Sequence, residues 1–321
     1  MKTAIFGFSG AGKTALSARL AGKRVESFDP YQPAALAVKL ADRRLARLRE
    51  IVKPAKLTPP EVLLLDFKGP ARAAGIEEKV LAGLLEADVI ILVLDGFSAG
   101  ANPAADLESL LLEFVFRDAD RVASIIERRR TEQAAGRRRA NPVEDEALKR
   151  AAEHLAGERP LYRLERGPAD AAFLAALGLI SDRKFFLLLN GPSADPALAG
   201  AAERLQLDAF RLDLAGDGPP DEAVAEFWAT FLDRVGLITF YTAGEKETRA
   251  WLLPRGATAL AAAGQIHTDI ARGFIRAEVV NFTEFDRLGG YGACRQHGAL
   301  RLEGKEYPVV DGDLLHIRCS T

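Results

Sequence analysis

Residues 7–14 read Gly7-Phe8-Ser9-Gly10-Ala11-Gly12-Lys13-Thr14, a GxxxxGK[ST] pattern. An apolar run from Thr3 to Phe8 leads into it, and Thr14 to Ala21, with Leu16 and Leu20 at helical spacing, follows it. The order strand, glycine-rich turn, helix is the context in which such a loop cradles phosphates. Its glycines let backbone N–H groups turn inward, and the helix N-terminus adds its positive dipole end. Lys13 then reaches the β and γ phosphates and the Thr14 hydroxyl ligates Mg²⁺. The phosphate-binding set expected from this stretch is Gly7, Gly10, Ala11, Gly12, Lys13, Thr14 and Ala15.

Working outward, Val62 to Asp66, Val89 to Asp95 and Phe185 to Asn190 are continuous apolar runs ending in Asp66, Asp95 and Asn190, with a helical stretch from Gly75 to Ala87 between the first two. Apolar strands alternating with helices are what a parallel sheet covered on both faces requires. The expected fold is therefore a doubly wound α/β P-loop NTPase. Asp66-Phe67-Lys68-Gly69 adds a DxxG pattern, in which Asp66 holds Mg²⁺ and the Gly69 N–H senses the γ-phosphate. Asp95, also at a strand end, competes for the metal role. Gly69 is followed by Pro70, so the glutamine that orients water in Ras-like enzymes has no counterpart, and Lys68 reads as a surface cation.

About ninety residues separate Asp95 from Phe185, far more than one crossover helix needs. Leu107, Leu111, Phe114, Val122, Ile125 and Ile126 mark a long amphipathic helix from Asn102 to about Arg130. After Gly136 and Asn141-Pro142, Leu148, Ala151 and Leu155 mark a second helix. The expectation is a helical hairpin whose bend carries Arg128, Arg129, Arg130, Arg137, Arg138 and Arg139, with Glu132 the single acid among residues 128–139. These arginines are candidate RNA contacts, the alternative being a solvated bend. Phe227 to Val235 reads as a closing helix. Beyond it lie short strand-like pieces at Ile238–Thr242, Thr248–Leu253, Phe274–Val280, Leu300–Leu302, Pro308–Val310 and Leu314–Arg318. The expected boundaries are 1–103 with 180–236 for the nucleotide domain, 104–179 for the hairpin and 237–321 for a compact C-terminal domain.

The 321 residues carry 43 Lys plus Arg against 45 Asp plus Glu, a net charge of −2, and 48% are hydrophobic, which excludes a disordered tail and a histone-like polycation. Nucleic-acid contact must be local. Two cysteines, Cys294 and Cys319, make neither a disulfide framework nor a zinc site. No signal-peptide core or bilayer-length apolar run is evident, so a soluble protein of the reducing cytoplasm with no membrane partner is expected.

Over nearly its whole length, and most specifically at its C-terminus, the chain resembles the YchF / Obg-like ATPase family. Phe240-Tyr241-Thr242-Ala243-Gly244-Glu245-Lys246-Glu247-Thr248-Arg249-Ala250-Trp251, Gly264 to Asp269, Gly273 to Glu278, Glu303 to Tyr307 and Asp311-Gly312-Asp313 are similar to that family's TGS domain. Glu50-Ile51-Val52-Lys53-Pro54 and Asn102 to Glu108 are similar to further family signatures. The resemblance implies a divergent member with a β-grasp TGS domain, a coiled-coil insertion and ribosome association. Trp251, Phe274 and Tyr241 read as β-grasp core, and His267 as a structural loop histidine. The nucleotide site departs from the family pattern. Its loop ends Ala11-Gly12-Lys13-Thr14 instead of Asn-Val-Gly-Lys-Ser. The stretch Phe28 to Pro33 has no switch threonine, leaving only Asp29. No histidine lies between Asp95 and Asn102. Asn190-Gly191-Pro192-Ser193 lacks the acid of the base-reading motif, so Asn190 and Gly191 are base-contact candidates without selectivity between ATP and GTP. Two readings follow: a slow Mg²⁺-dependent ATPase or GTPase regulating translation through nucleotide, ribosome and rRNA, or a non-hydrolysing scaffold on the same fold. Catalytic residues are not assigned.

Overall fold

A computed structural model describes residues 1–22, 33–72, 74–137, 139–192, 194–215 and 219–320. Asp29, Arg138 and Ser193, singled out above, lie outside the described residues. In chain order the first elements are β1 (Lys2–Phe6), α1 (Lys13–Ala21), β2 (Ala34–Lys39), α2 (Arg43–Val52), β3 (Lys56–Thr58), β4 (Glu61–Asp66), α3 (Glu78–Leu84) and β5 (Val89–Asp95). Then come α4 (Pro103–Ala134), α5 (Pro142–Ala156), α6 (Pro168–Ala176), β6 (Lys184–Asn190), α7 (Pro196–Leu205), β7 (Ala209–Leu212) and α8 (Asp221–Arg234). The last are β8 (Leu237–Ala243), β9 (Glu247–Pro254), α9 (Ala259–Ile266), α10 (Thr268–Arg272), β10 (Phe274–Asn281), α11 (Phe282–Leu288), α12 (Tyr291–Gln296), β11 (Arg301–Glu303) and β12 (Asp313–Cys319).

Two compact units form, residues 1–36 with 63–220 and residues 37–62 with 221–321. The chain passes between them within β2, within β4 and after Pro220. Residues 37–62 and 221–236, which the sequence boundaries assign to the nucleotide domain, thus pack with the C-terminal unit. No helix among the described residues is long and apolar enough to cross a membrane.

The first sheet has the order β2-β4-β1-β5-β6-β7. Its β1–β4, β1–β5, β5–β6 and β6–β7 pairs are parallel. All seven residues of β5 are buried, as a central strand covered on both faces requires. Register brings Ile5 opposite Asp66 and Asp95 opposite Asn190, so the two carboxylates and the amide end their strands on the edge where the loop after β1 turns. The insertion expected after β5 is α4 and α5. Asn102 caps α4 through the Ala105 N–H and Asn141 caps α5 through the Glu144 N–H, each with proline at the first helical position. Val115 and Val122 of α4 pack on Leu148, Ala151 and Leu155 of α5 and on Leu174 of α6, a core of its own. Asp118, buried at the root of this arm, accepts from the Ile180 N–H, the Ser181 N–H and the Ser181 hydroxyl. Burial holds its carboxyl above the ordinary range against those donors.

The second sheet has the order β11-β10-β12-β8-β9-β3. The β8–β9 hairpin is antiparallel, β12 joins β8 in parallel and β10 joins β12 antiparallel, with α9 packed on one face: a β-grasp. Tyr241 is fully buried and its hydroxyl donates to Asp42 at 2.6 Å; Trp251, partly buried, stacks on Phe240 and packs against the core. Pro308 to Val310, expected as a strand, instead contributes a single antiparallel bridge from Pro308 to Thr258. The fixed proline ring has no N–H to extend a ladder. The opposite face of the sheet is covered by α2. Asp42 caps that helix through the Arg44 and Leu45 N–H groups, and Leu45 and Leu48, three apart on one side, pack with Tyr241, Ala250, Val280, Phe285 and Leu314. The β3 strand then adds to β9 in parallel, Leu57 opposite Thr248.

Leu48 is wholly buried at a site that lies far in sequence from every strand it covers. Leu48→Ala is expected to destabilise the C-terminal unit by about 2–5 kcal/mol. Urea unfolding followed by tryptophan fluorescence checks this, since Trp228 and Trp251 both belong to that unit, and a loss below about 0.5 kcal/mol would show that α2 is not part of that core.

Candidate functional site

The loop after β1 is shaped by contacts a sequence pattern does not display. Gly12 takes φ +87°, and a Cβ there would stand 2.3 Å from the Asn190 side-chain nitrogen. The Asn190 amide is the brace: its nitrogen donates to the Ala11 carbonyl at 3.2 Å, and its oxygen accepts from the Leu214 N–H at 3.2 Å. Gly191 sits against the Gly96 backbone and donates its N–H to the Leu212 carbonyl. The two residues expected to meet a base are placed where they hold the phosphate loop and the strand ends.

Ser9, Gly10, Gly12, Lys13, Thr14, Ala15, Phe67, Lys68 and Gly69 line a cavity of about 520 Å³ at the start of α1. The Lys13 ammonium, buried, donates to the Phe8 carbonyl at 2.7 Å. Burial pulls its pKa down to about 8, with the Asp66 charge opposing. Asp66 is fully buried, and neither carboxylate oxygen has a hydrogen-bond partner of good geometry among the described residues. Burial pushes its carboxyl upward, against the nearby Ser17 and Thr14 hydroxyls and Lys13. An orphaned carboxylate in a dry corner is costly unless a cation or donor satisfies it. The donors gathered here, a carboxylate and the Thr14 hydroxyl at the mouth of a phosphate loop, are hard oxygens, the set Mg²⁺ takes when water and phosphate complete its shell. No cluster of three or more His, Cys, Asp or Glu side chains suited to a metal occurs among the described residues, so an all-protein metal cage is not what the site offers.

Gly69 closes the cavity. A Cβ there would lie 1.8 Å from the Gly7 carbonyl oxygen and 2.6 Å from the Lys13 ammonium, so no side chain fits. Next to it, the Pro70 carbonyl accepts from the Ser9 N–H at 2.8 Å. The loop after β4 is therefore pressed onto the phosphate loop. Asp95 is differently employed. It accepts from the Phe97 and Ser98 N–H groups and lies 3.6 Å from Arg72. Those contacts outweigh its burial and hold its carboxyl below the ordinary range, leaving it a capping role.

Arg72 and Asp106 were not singled out by the sequence pattern. The Arg72 guanidinium meets the Asp106 carboxylate in a two-bond fork, both at 2.8 Å, and lies 5.9 Å from the centre of the Phe8 ring. Asp106 stands inside the signature Asn102 to Glu108, which was the available signal. The basic bend also needs a correction. Arg129 is 6% exposed, bonded to Glu144 at 2.6 Å and Asp145 at 3.1 Å and stacked on Phe173, so it is an internal strut of the arm. Arg128, Arg130, Arg137 and Arg139 are exposed. Of the four histidines only His154 belongs to this unit, buried on α5 with a ring nitrogen bonded to the Pro160 carbonyl. His267 caps α10, accepting from the Asp269 N–H.

A family model named YchF-GTPase_C, described as a protein of unknown function (DUF933), matches residues 237–320. The chain is 28% identical over 359 aligned positions to a "Ribosome-binding ATPase YchF" of Bacillus subtilis, with 98% of each chain covered. It is 29% identical to the protein of that name from Escherichia coli O157:H7, again with 98% of each covered. A solved structure described as the Schizosaccharomyces pombe YchF GTPase superposes with a TM-score of 0.83 at 21% identity, covering 99% of this chain and 97% of that one. The chain thus shares its fold from end to end with that structure, is similar along its length to the YchF proteins, and carries in its C-terminal domain the match to the family's own model.

Proposed function

We propose that this protein binds a nucleoside triphosphate with Mg²⁺ at the Lys13, Thr14 and Asp66 corner, hydrolyses it slowly, and associates with the ribosome in the cytoplasm. The observation that carries the reading is the buried, unpartnered Asp66 carboxylate beside Lys13. Backbone N–H groups from Gly10 to Ala15 and the Lys13 ammonium would take the phosphates, Thr14 and Asp66 the metal, and the Gly69 N–H the γ-phosphate. ATP is favoured over GTP. Relatives bear the name of an ATPase. Slow turnover follows from what surrounds the γ position. The unit's single histidine is in the arm, and Pro70 stands where water would be oriented. Ribosome association rests on the relatives' name together with four exposed arginines at the arm's bend, a local cationic surface on a chain of net charge −2.

Lys13→Ala is expected to weaken ATP binding by at least about tenfold, the loss of one charge-assisted contact. Calorimetric titration with ATP, GTP and their diphosphates in Mg²⁺ reads both this and the base preference, and unchanged affinities in the variant remove the phosphate-loop assignment. A pH effect follows as well. The ammonium binds phosphate only when protonated and its free pKa is about 8, while bound phosphates raise it. Binding at pH 8.5 should then take up a fraction of a proton, and affinity should fall from pH 7 to pH 9.5. Titrations in buffers of different ionisation enthalpy measure that uptake, and none at pH 8.5 contradicts the role given to Lys13. For the arm, replacing Arg128, Arg130, Arg137 and Arg139 by glutamine should weaken ribosome co-sedimentation and lower its log–log salt slope by up to about 3–4. Sedimentation unchanged from wild type at all salt concentrations makes the tip a solvated bend.

A further inference from the structure

The loop between Asp66 and Arg72 touches the phosphate loop three times in six residues: Gly69 on the Gly7 carbonyl and Lys13, Pro70 on the Ser9 N–H, and Arg72 over the Phe8 ring. Its only side-chain hydrogen bonds to α4 among the described residues are those of Arg72 to Asp106. Asp106 lies in the first turn of α4, its side chain one-tenth exposed, and Arg72 is its sole side-chain partner among the described residues. The same guanidinium faces Asp95 at the end of β5, so one cation is shared by two buried carboxylates on two different elements. Farther along, the Arg117 guanidinium of α4 holds the Ile76 carbonyl at 2.9 Å and Glu78 at 2.5 Å, which pins the far end of the segment to the same helix.

We infer that Arg72 is a positioning residue that links the γ-phosphate-sensing loop to the root of the arm: a shift of Gly69 on nucleotide binding is passed through the Arg72–Asp106 fork to the first turns of α4. This rests on the nucleotide-binding reading above. The fork geometry matters, because a guanidinium making two parallel bonds to one carboxylate transmits rotation as well as displacement, which a single point charge does not. Arg117 supplies the fixed end. When the loop near Gly69 moves and the segment at Ile76 does not, the strain falls on Arg72 and the buried carboxylate it neutralises. Asp106 must follow its counter-ion or remain buried without it. The helix that receives the displacement is the one that carries Arg128 and Arg130 and leads into the bend.

Hydrogen exchange of the full-length protein tests this, with Mg·ADP and a Mg-bound non-hydrolysable ATP analogue each at saturation fixed by calorimetry. Wild type should show exchange in residues 103–112 differing between the two states by about fivefold or more, the lower end of ordinary coupling between sites. In Arg72→Ala and in the isosteric Asp106→Asn that difference should vanish, while the differences around residues 8–16 and 66–70 persist. The double variant should lose no more than either single one, and Arg72→Lys should keep less than half of the effect. If the fork merely staples the fold, both variants will raise exchange in α4 equally in the two states and leave the difference intact, which overturns the inference. A wild type that binds both nucleotides but shows no difference in 103–112 overturns it too. If calorimetry finds no nucleotide bound to wild type, the nucleotide reading itself has failed, and the inference falls with it.

Discussion

Two opposite charges buried in one corner organise the nucleotide unit. Lys13 and Asp66 are both buried at the ends of neighbouring elements, and neither is paid off by a hydrogen bond to the other. Burial lowers the pKa of one and raises that of the other, so each would rather be neutral alone and each helps the other stay charged. The surrounding features serve that corner. Parallel register delivers Asp66 to the right edge of the sheet, Asn190 braces the loop that bears Lys13, and the missing side chain at Gly69 lets the next loop close over both. A site held this tightly by backbone and packing spends little reorganisation when charge arrives, which is how preorganised dipoles act.

Much of this was legible in the residues. The phosphate loop, the apolar strands ending in Asp66, Asp95 and Asn190, and the helical insertion all follow from local pattern, and the structure has them within a few residues of the expected ends. What was not legible is long-range. The short strand at Lys56–Thr58 and the amphipathic helix at Arg43–Val52 carry no mark that says which sheet they join. Their partners, β9 and the face around Tyr241, are nearly two hundred residues away. Arg129 was hidden for a different reason. In a run of arginines each reads as solvated, and only the i,i+3 and i,i+4 geometry of α4 with Glu144 and Asp145 across the bend selects one of them for the interior. Asn190 has the position expected for base contact, and the structure adds a role that its sequence does not display, one bond from each end of its amide to the backbone at Ala11 and Leu214.

The arm shows how a charge run divides its labour. Arg129, inside, is matched by two carboxylates and an aromatic ring, as a buried cation must be. Arg128 has Glu132 at 3.9 Å on an exposed surface, a contact of little energetic weight. The bend therefore keeps its cationic surface while the buried cation is offset by carboxylates, and the two properties are separable by mutation.

The placement of α2 in the C-terminal unit has a consequence in time. During synthesis the helix emerges with Leu45 and Leu48 on one face, and the strands that bury them begin only at Leu237. At about 5–20 residues per second, an apolar stripe waits roughly ten to forty seconds for its cover. By the end of that interval the nucleotide unit has all its own strands up to β7, so the nascent chain passes through a stage in which one unit has its strands while a piece of the other is still uncovered. The chain's order of manufacture and its order of packing run in opposite directions at this point, and any factor that binds exposed apolar helices meets its best opportunity there.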